Sequence, residues 1–288
     1  MNNPTIFNEV LVWPIINVLV GIYQGLIALH IPYALGFSII VLTIVIRLIL
    51  YPLTAAQLKS TKKMQSLAPH LNKLKDKHKG DAKMLQAETM KLYKEHGVNP
   101  VAGCIPVIFQ LPIIWGLYSV LQEVVKTNTA AASINKILYF KQLHLTHIWD
   151  QHFFGIPLGQ GPSHLIASYG PLILLFPIAT AFFQFIQSKM MFVPPPTEVA
   201  EEVTGKKINP KDKKAEEIKK QDDFASAFQT QSMYIFPLMI GFFSYNFPIG
   251  LTLYWITFTL FGIIQQYRIQ GWGGMSAWVA KLKKNKNG

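Results

Sequence analysis

Little in this sequence can carry out covalent chemistry, and little of it can be dissolved in water. One residue of 288 is cysteine, Cys104, so no internal disulfide is available and the thiol reads as a small packing residue. No HExxH, P-loop, GxSxG or CxxC pattern occurs. The eight histidines, at 30, 70, 78, 96, 144, 147, 152 and 164, fall in loops or at the ends of apolar runs. Without neighbouring cysteines or a carboxylate set, they specify no metal site. An enzyme, a resident metal and a cofactor are therefore not expected. Charge is scarce as well: 15% of residues are Asp, Glu, Lys or Arg, against about 25% in a soluble domain. What charge exists is mostly positive, +12 net, yet half the residues are apolar. A soluble nucleic-acid binder does not combine these, and no specific nucleic-acid partner is expected.

What is present is a series of long apolar runs. About 20 helical residues cross a bilayer, and residues 34–58, 98–124, 166–187 and 249–268 are long enough. A shorter run, 230–247, is separated from the last by Pro248 and Gly250, which predicts a tight helical hairpin. The expected fold is an all-α polytopic membrane protein with a core of five transmembrane helices. Residues 1–33 are less decided. Asn17, Tyr23 and Gln24 lie near one face of Val10–Leu29, which fits an amphipathic helix in the membrane interface. The length also permits a sixth crossing. A cleavable signal is not expected, because no Lys or Arg precedes Arg47.

Lysine placement orients the chain. Ten lysines lie in residues 59–97 and eight in 188–229, while five basic residues lie in the tail from Arg268. Only three, Lys126, Lys136 and Lys141, lie in the 125–165 connection. The positive-inside rule puts the first three regions in the cytoplasm and the N-terminus outside. Residues 59–97 carry apolar seams, Met64, Leu67, Leu71, Leu74 and then Leu85, Thr89, Leu92, on either side of Lys79-Gly80-Asp81. Two antiparallel helices of about four turns each are predicted. Lys62, Lys63, Lys73, Lys75, Lys77 and Lys79 form either a solvated face or a docking surface. Residues 188–229 contain Pro194-Pro195-Pro196 and balanced charge, and residues 269–288 form a basic tail.

Arg47 is the most informative residue. It lies amid Ile44, Val45, Ile46, Leu48, Ile49 and Leu50, where insertion scales put its cost at about 2.5–3.5 kcal/mol. The spans offer almost no acid to pair with it; Glu123 sits at the far end of the second. An aqueous cavity is the expected solution. Thr43 and Thr54 share its helix face, and Thr252, Trp255 and Thr259 follow 3/4 spacing in the last span. Gln110, Gln184 and Gln187 add amides. Singly these are interhelical hydrogen bonds; together they outline a hydrated groove. A small-solute or anion transporter using Arg47, or a structural or assembly subunit, would fit the same residues.

Read in order, the motifs resemble the YidC family of membrane protein insertases. They are Asn99-Pro100-Val-Ala-Gly103-Cys104-Ile-Pro106 with Gln110 and Pro112, then Arg47-Leu-Ile-Leu-Tyr-Pro52-Leu53 with Lys63-Met64-Gln65. Phe247-Pro248-Ile249-Gly250-Leu251, Leu253-Tyr254-Trp255 and Gln265-Gln266 complete the set. The resemblance implies a five-helix core behind an outer interfacial helix. It also implies a groove open to cytoplasm and lipid, with Arg47 meeting hydrophilic parts of a substrate. The implied activity is insertion and chaperoning of nascent membrane proteins in a bacterial plasma (inner) membrane. Implied partners are the ribosome, the Sec translocon and membrane lipids. The chain departs from the family in its outer connection, Gly155-Ile-Pro-Leu-Gly-Gln-Gly-Pro162, in its long 188–229 loop, and in lacking a large outer domain or an acylated cysteine near the start.

Overall fold

The computed structural model describes residues 3–78, 81–97, 105–125, 130–146, 149–191, 233–276 and 278–280. Most of the 188–229 loop, the Asn99–Cys104 motif and the lysine tail after 280 lie outside the described residues, as do the side chains of Gln110, Lys75 and Lys79. A π-helical turn, Asn8–Val12, runs into α1 (Trp13–Ala28). Then come α2 (Ala34–Ile49), α3 (Tyr51–Ser66), α4 (Ala68–Lys77), α5 (Ala82–Glu95), α6 (Ile105–Val125) and α7 (Ala130–Asn135). A two-residue antiparallel ribbon, β1 (His152–Phe153) with β2 (Ile156–Pro157), precedes α8 (Pro162–Tyr169) and α9 (Leu175–Met191). Residues 233–246 form α10, and α11 is Ile249–Gln270.

The chain is an all-α, multi-pass membrane protein. Among the described residues, three helical stretches are long and apolar enough to cross a bilayer, Asn8–Ala28, Pro171–Met191 and Ile249–Gln270, and α2 with α3 makes a fourth if counted as one broken span. Prolines set several boundaries. The expected 34–58 helix breaks at Leu50, because Pro52 lacks an N–H and its ring crowds the carbonyl four residues back. The expected 166–187 helix breaks at Gly170, whose φ of +68° no helix contains, and resumes as a 3₁₀ turn at Pro171–Leu174. The first lysine-rich helix is also divided, at Leu67, with Pro69 in the first turn of α4.

The fold divides into two compact units. One comprises Pro52–Gly103, Phe185–Phe236 and Ile263–Gly288. Within it α4 packs on α5, and the rings of His70 and His96 lie 6.2 Å apart. Asp81 caps α5 by accepting from the Met84 N–H at 2.9 Å; Lys79 and Gly80 of the expected turn lie outside the described residues. Lys62, Lys63, Lys73 and Lys77 are exposed.

The other unit comprises Met1–Tyr51, Cys104–Gln184 and Pro237–Gly262. Its core joins Ile16, Leu19 and Val20 of α1 to Leu35, Ile39 and Leu42 of α2, Leu117 and Leu121 of α6, and Ile249 and Tyr254 of α11. Gly250 lets α11 approach closely: a Cβ there would come 2.6 Å from a methyl of Leu121. The N–H groups of Ile249 and Gly250, orphaned at the start of α11, donate to the carbonyls of Gln160 and Leu158 at 2.9 Å each. Phe153 of the ribbon lies against Gly36, where no Cβ would fit.

The polar stripe of α1 packs against the protein through Asn17 and Tyr23. Asn17 is 7% exposed; its amide donates to the carbonyls of Trp13 and Ile137 at 2.9 and 3.0 Å and accepts from the Tyr139 N–H at 2.8 Å. Tyr23 is buried and stacks on Trp149 with centroids 4.6 Å apart. The exposed side of α1 is instead apolar, including Val10, Val18, Ile27 and Leu29. Sequence spacing finds the stripe but cannot say which neighbour covers it. Asn17→Ala strands the Tyr139 N–H and the Ile137 carbonyl. It should destabilise the protein by about 1–3 kcal/mol, read by unfolding in detergent. Gln24→Ala, losing one exposed 3.5 Å contact to the His144 carbonyl, should leave stability nearly unchanged.

Candidate functional site

Arg47 occupies the last turn of α2 and is 5% exposed. Its guanidinium carbon sits 3.4 Å from the centroid of the Phe258 ring, and Nη2 donates to the Phe258 carbonyl at 2.6 Å. No carboxylate pairs with it among the described residues. A desolvated cation–π contact contributes about 2 kcal/mol, and a hydrogen bond from a charged donor about 1.5–3 kcal/mol. Together these come to about 3.5–5 kcal/mol, enough to offset the insertion-scale cost of the residue. The guanidinium has five donors; Nε is buried with no protein partner among the described residues.

The polar residues singled out by spacing separate into distinct groups. In the Arg47 unit, Trp255 Nε1 donates to Gln184 Oε1 at 3.1 Å, joining α11 to α9. Three residues before Trp255, Thr252 Oγ1 lies 3.1 Å from Ser244 Oγ, which lies 3.4 Å from Thr180 Oγ1. These hydroxyls and amides lace α9, α10 and α11 together. Thr43 is fully buried and turns its hydroxyl back to the Ile39 carbonyl at 2.6 Å. Thr259, next to Phe258, is fully buried with Oγ1 lacking a partner among the described residues. In the second unit Thr54 accepts from the Gln265 amide, and the Gln270 amide donates to the Leu58 carbonyl. Gln187 belongs to that unit and is half-buried.

Sequence reasoning missed Phe258, Ser244 and Thr180. A phenylalanine in an apolar run carries no sign that a cation rests on it. Thr180 was more accessible: it stands four residues before Gln184, so both share one face of α9. Ser244 is read only once the chain is known to turn at Pro248. The Trp255–Gln184 bond yields a direct test. Trp255→Phe and Gln184→Leu should each destabilise by about 1–2 kcal/mol. A double-mutant cycle by unfolding should show a coupling of about 1 kcal/mol.

The chain matches the profile of the family described as 60Kd inner membrane protein over residues 26–274. It is 33% identical over 234 residues to the membrane protein insertase YidC of Fusobacterium nucleatum, covering 81% of this chain and 85% of that one. It is 31% identical over 258 residues to the chloroplastic inner membrane protein ALBINO3 of Arabidopsis thaliana, covering 87% of this chain and 50% of that one. Thus it spans about half the length of some curated relatives and most of another. A solved structure of an active YidC insertase, with the first transmembrane domain resolved, has a TM-score of 0.49 and 25% identity, covering 92% of this chain and 47% of that one. With the family profile covering most of its length, and a Fusobacterium relative nearly matched end to end, the chain belongs to the 60Kd inner membrane protein family, the YidC family that its motifs resemble.

Proposed function

We propose that this protein is a membrane protein insertase and folding chaperone, moving nascent transmembrane segments into the bilayer. The observation that carries the reading is Arg47: a guanidinium in an apolar helix, with a ring and a carbonyl as its partners and no acid among the described residues. In this reading Arg47, Thr43, Thr252, Trp255, Thr259 and Gln184 border a hydrated groove open to cytoplasm and lipid. Water there satisfies Arg47 Nε and Thr259 Oγ1. Bare hydrocarbon would charge a passing polar flank several kcal/mol for each unsatisfied group, and the groove removes that barrier. No covalent bond is made or broken. An acidic flank is attracted to Arg47, and the membrane potential adds about 2.3 kcal/mol per charge per 100 mV for its outward movement.

The same reading orders the chain as five crossings, α2–α3, α6, α9, α10 and α11, in the plasma (inner) membrane of a bacterium. Residues 1–33 lie at the outer face and the C-terminus in the cytoplasm. The lysine-bearing α4/α5 pair then forms a cytoplasmic hairpin that docks the ribosome or acidic lipid, with the Sec translocon as a further partner. Lysine distribution and family membership support this arrangement. Asn3→Cys and Gly80→Cys should react with impermeant thiol reagents from opposite sides of the membrane; labelling from one side would overturn the topology.

Arg47 variants test the groove. Arg47→Lys keeps the charge and should largely retain insertion, whereas a need for the planar fork would make it fail. Arg47→Ala should still fold, since no acid is orphaned. It should lower insertion of acidic-flank clients about tenfold relative to neutral-flank clients, measured by protease protection of single-span clients differing only in flank charge. One charge contact of about 1.4 kcal/mol corresponds to that factor. Equal insertion of both client sets by Arg47→Ala and the parent would rule out the electrostatic role.

A further inference from the structure

The segment after α11 is folded back and held. The Gly271 N–H donates to the Tyr267 carbonyl at 2.9 Å, and Gly271 has φ of +74°, a left-handed helix cap that glycine adopts without strain. Gly273, also at positive φ, packs so tightly on the Met190 carbonyl at the end of α9 that no Cβ would fit. Gly273–Met275 forms a single 3₁₀ turn. Trp278 then lies beside α9, its ring centroid 5.4 Å from Lys189 Nζ and 6.5 Å from that of Phe185. Phe185 in turn stacks on Tyr234 at 5.8 Å, and Trp272 packs on Tyr267 at 4.9 Å.

Four of these rings remain substantially open: Tyr234 at 48%, Tyr267 at 49%, Trp272 at 39% and Trp278 at 50%. Arg268 is exposed beside them. No Asp or Glu occurs anywhere after Asp223, whereas Arg268, Lys281, Lys283, Lys284 and Lys286 do. Half-open Tyr and Trp rings with cationic neighbours match the chemistry of a bilayer's headgroup layer, where an amphipathic ring has one end in lipid and the other in water. An excess of positive charge with no acid selects the anionic members of that layer.

We propose that residues 271–276 and 278–280, with Tyr234, Tyr267 and Arg268, form an interfacial anchor that binds anionic lipid at the end of α11. Its rings seat in the headgroup layer and its basic groups set the preference for negative lipid. The rings favour a membrane over RNA, since a bilayer surface offers an apolar side to each. The proposal rests on α11 being a membrane span but not on the insertase role of Arg47.

The test is hydrogen exchange by mass spectrometry on the full chain in nanodiscs. Discs of phosphatidylcholine alone are compared with discs containing phosphatidylglycerol. Amides of residues 272–280 should exchange at least about fivefold more slowly in the anionic discs, the equivalent of one basic residue held at an anionic surface. High salt should remove the difference. The double variant Trp272→Ala with Trp278→Ala should lose the protection in both lipids. The combined variant Arg268→Gln, Lys281→Gln, Lys283→Gln, Lys284→Gln and Lys286→Gln should lose only the anionic preference. Exchange in α2 should be unchanged throughout, showing that the fold is intact. Equal exchange in the two lipids, or slowing that appears only when an RNA oligonucleotide is added, would overturn the proposal. The flank-charge insertion assay on the same variants separates this anchor from the groove: the anchor can fail while acidic-flank insertion stands, and the reverse.

Discussion

A guanidinium within an apolar helix must be compensated locally, and the placement of Arg47 over Phe258 is how this protein does it. Three helical turns of α2 supply only aliphatic neighbours and a threonine whose hydroxyl is committed to its own backbone. The compensation therefore has to come from α11, as a ring face and a carbonyl oxygen. Neither partner is charged. An acid in their place would form a buried ion pair, strongly coupled and unavailable to a passing substrate. A ring and a carbonyl hold the cation without neutralising it.

That contact requires α11 to be placed accurately against α2, and several features of the same unit do so. Gly250 permits close approach to Leu121 and Ile39 at the start of α11. The carbonyls of Leu158 and Gln160 satisfy its first free N–H groups, so the connection that precedes α8 serves as its cap. Thr180, Ser244 and Thr252, with Gln184 and Trp255, then tie it to α9 and α10. Polar bonds between helices suit a membrane, where lipid competes for apolar contacts but not for hydrogen bonds. Among the described residues, these features account for the rotation that brings Phe258 toward Arg47.

Much of this was legible in the sequence because lipid imposes simple rules. Apolar run length located the helices, proline marked where they could break, and Arg47 stood out because charge is costly there. The 3/4 spacing of Thr252, Trp255 and Thr259 puts them on one face of α11, and Thr252 and Trp255 meet partners on neighbouring helices. The direction of the α1 stripe was not legible: Asn17, Tyr23 and Gln24 give the same periodicity whether the stripe meets headgroups or the 135–150 segment. Phe258 was invisible for a related reason. Periodicity reports polarity, and a ring that accepts a cation through its face has none to report. The break at Gly170 was available in principle from the Gly-Pro pair but was masked by the apolar residues on both sides.

The central claim is that Arg47 is solvated from the cytoplasmic side while α2's lipid-facing surface stays dry. Thiol chemistry measures this directly, because maleimide reacts with the thiolate, which forms only in water. In inverted membrane vesicles, a charged, membrane-impermeant maleimide should label Arg47→Cys, whose short side chain leaves the guanidinium's volume open, and leave Leu48→Cys on the exposed apolar face unlabelled. Labelling of Leu48→Cys with protection of Arg47→Cys would place the water on the wrong side of the helix and contradict the account.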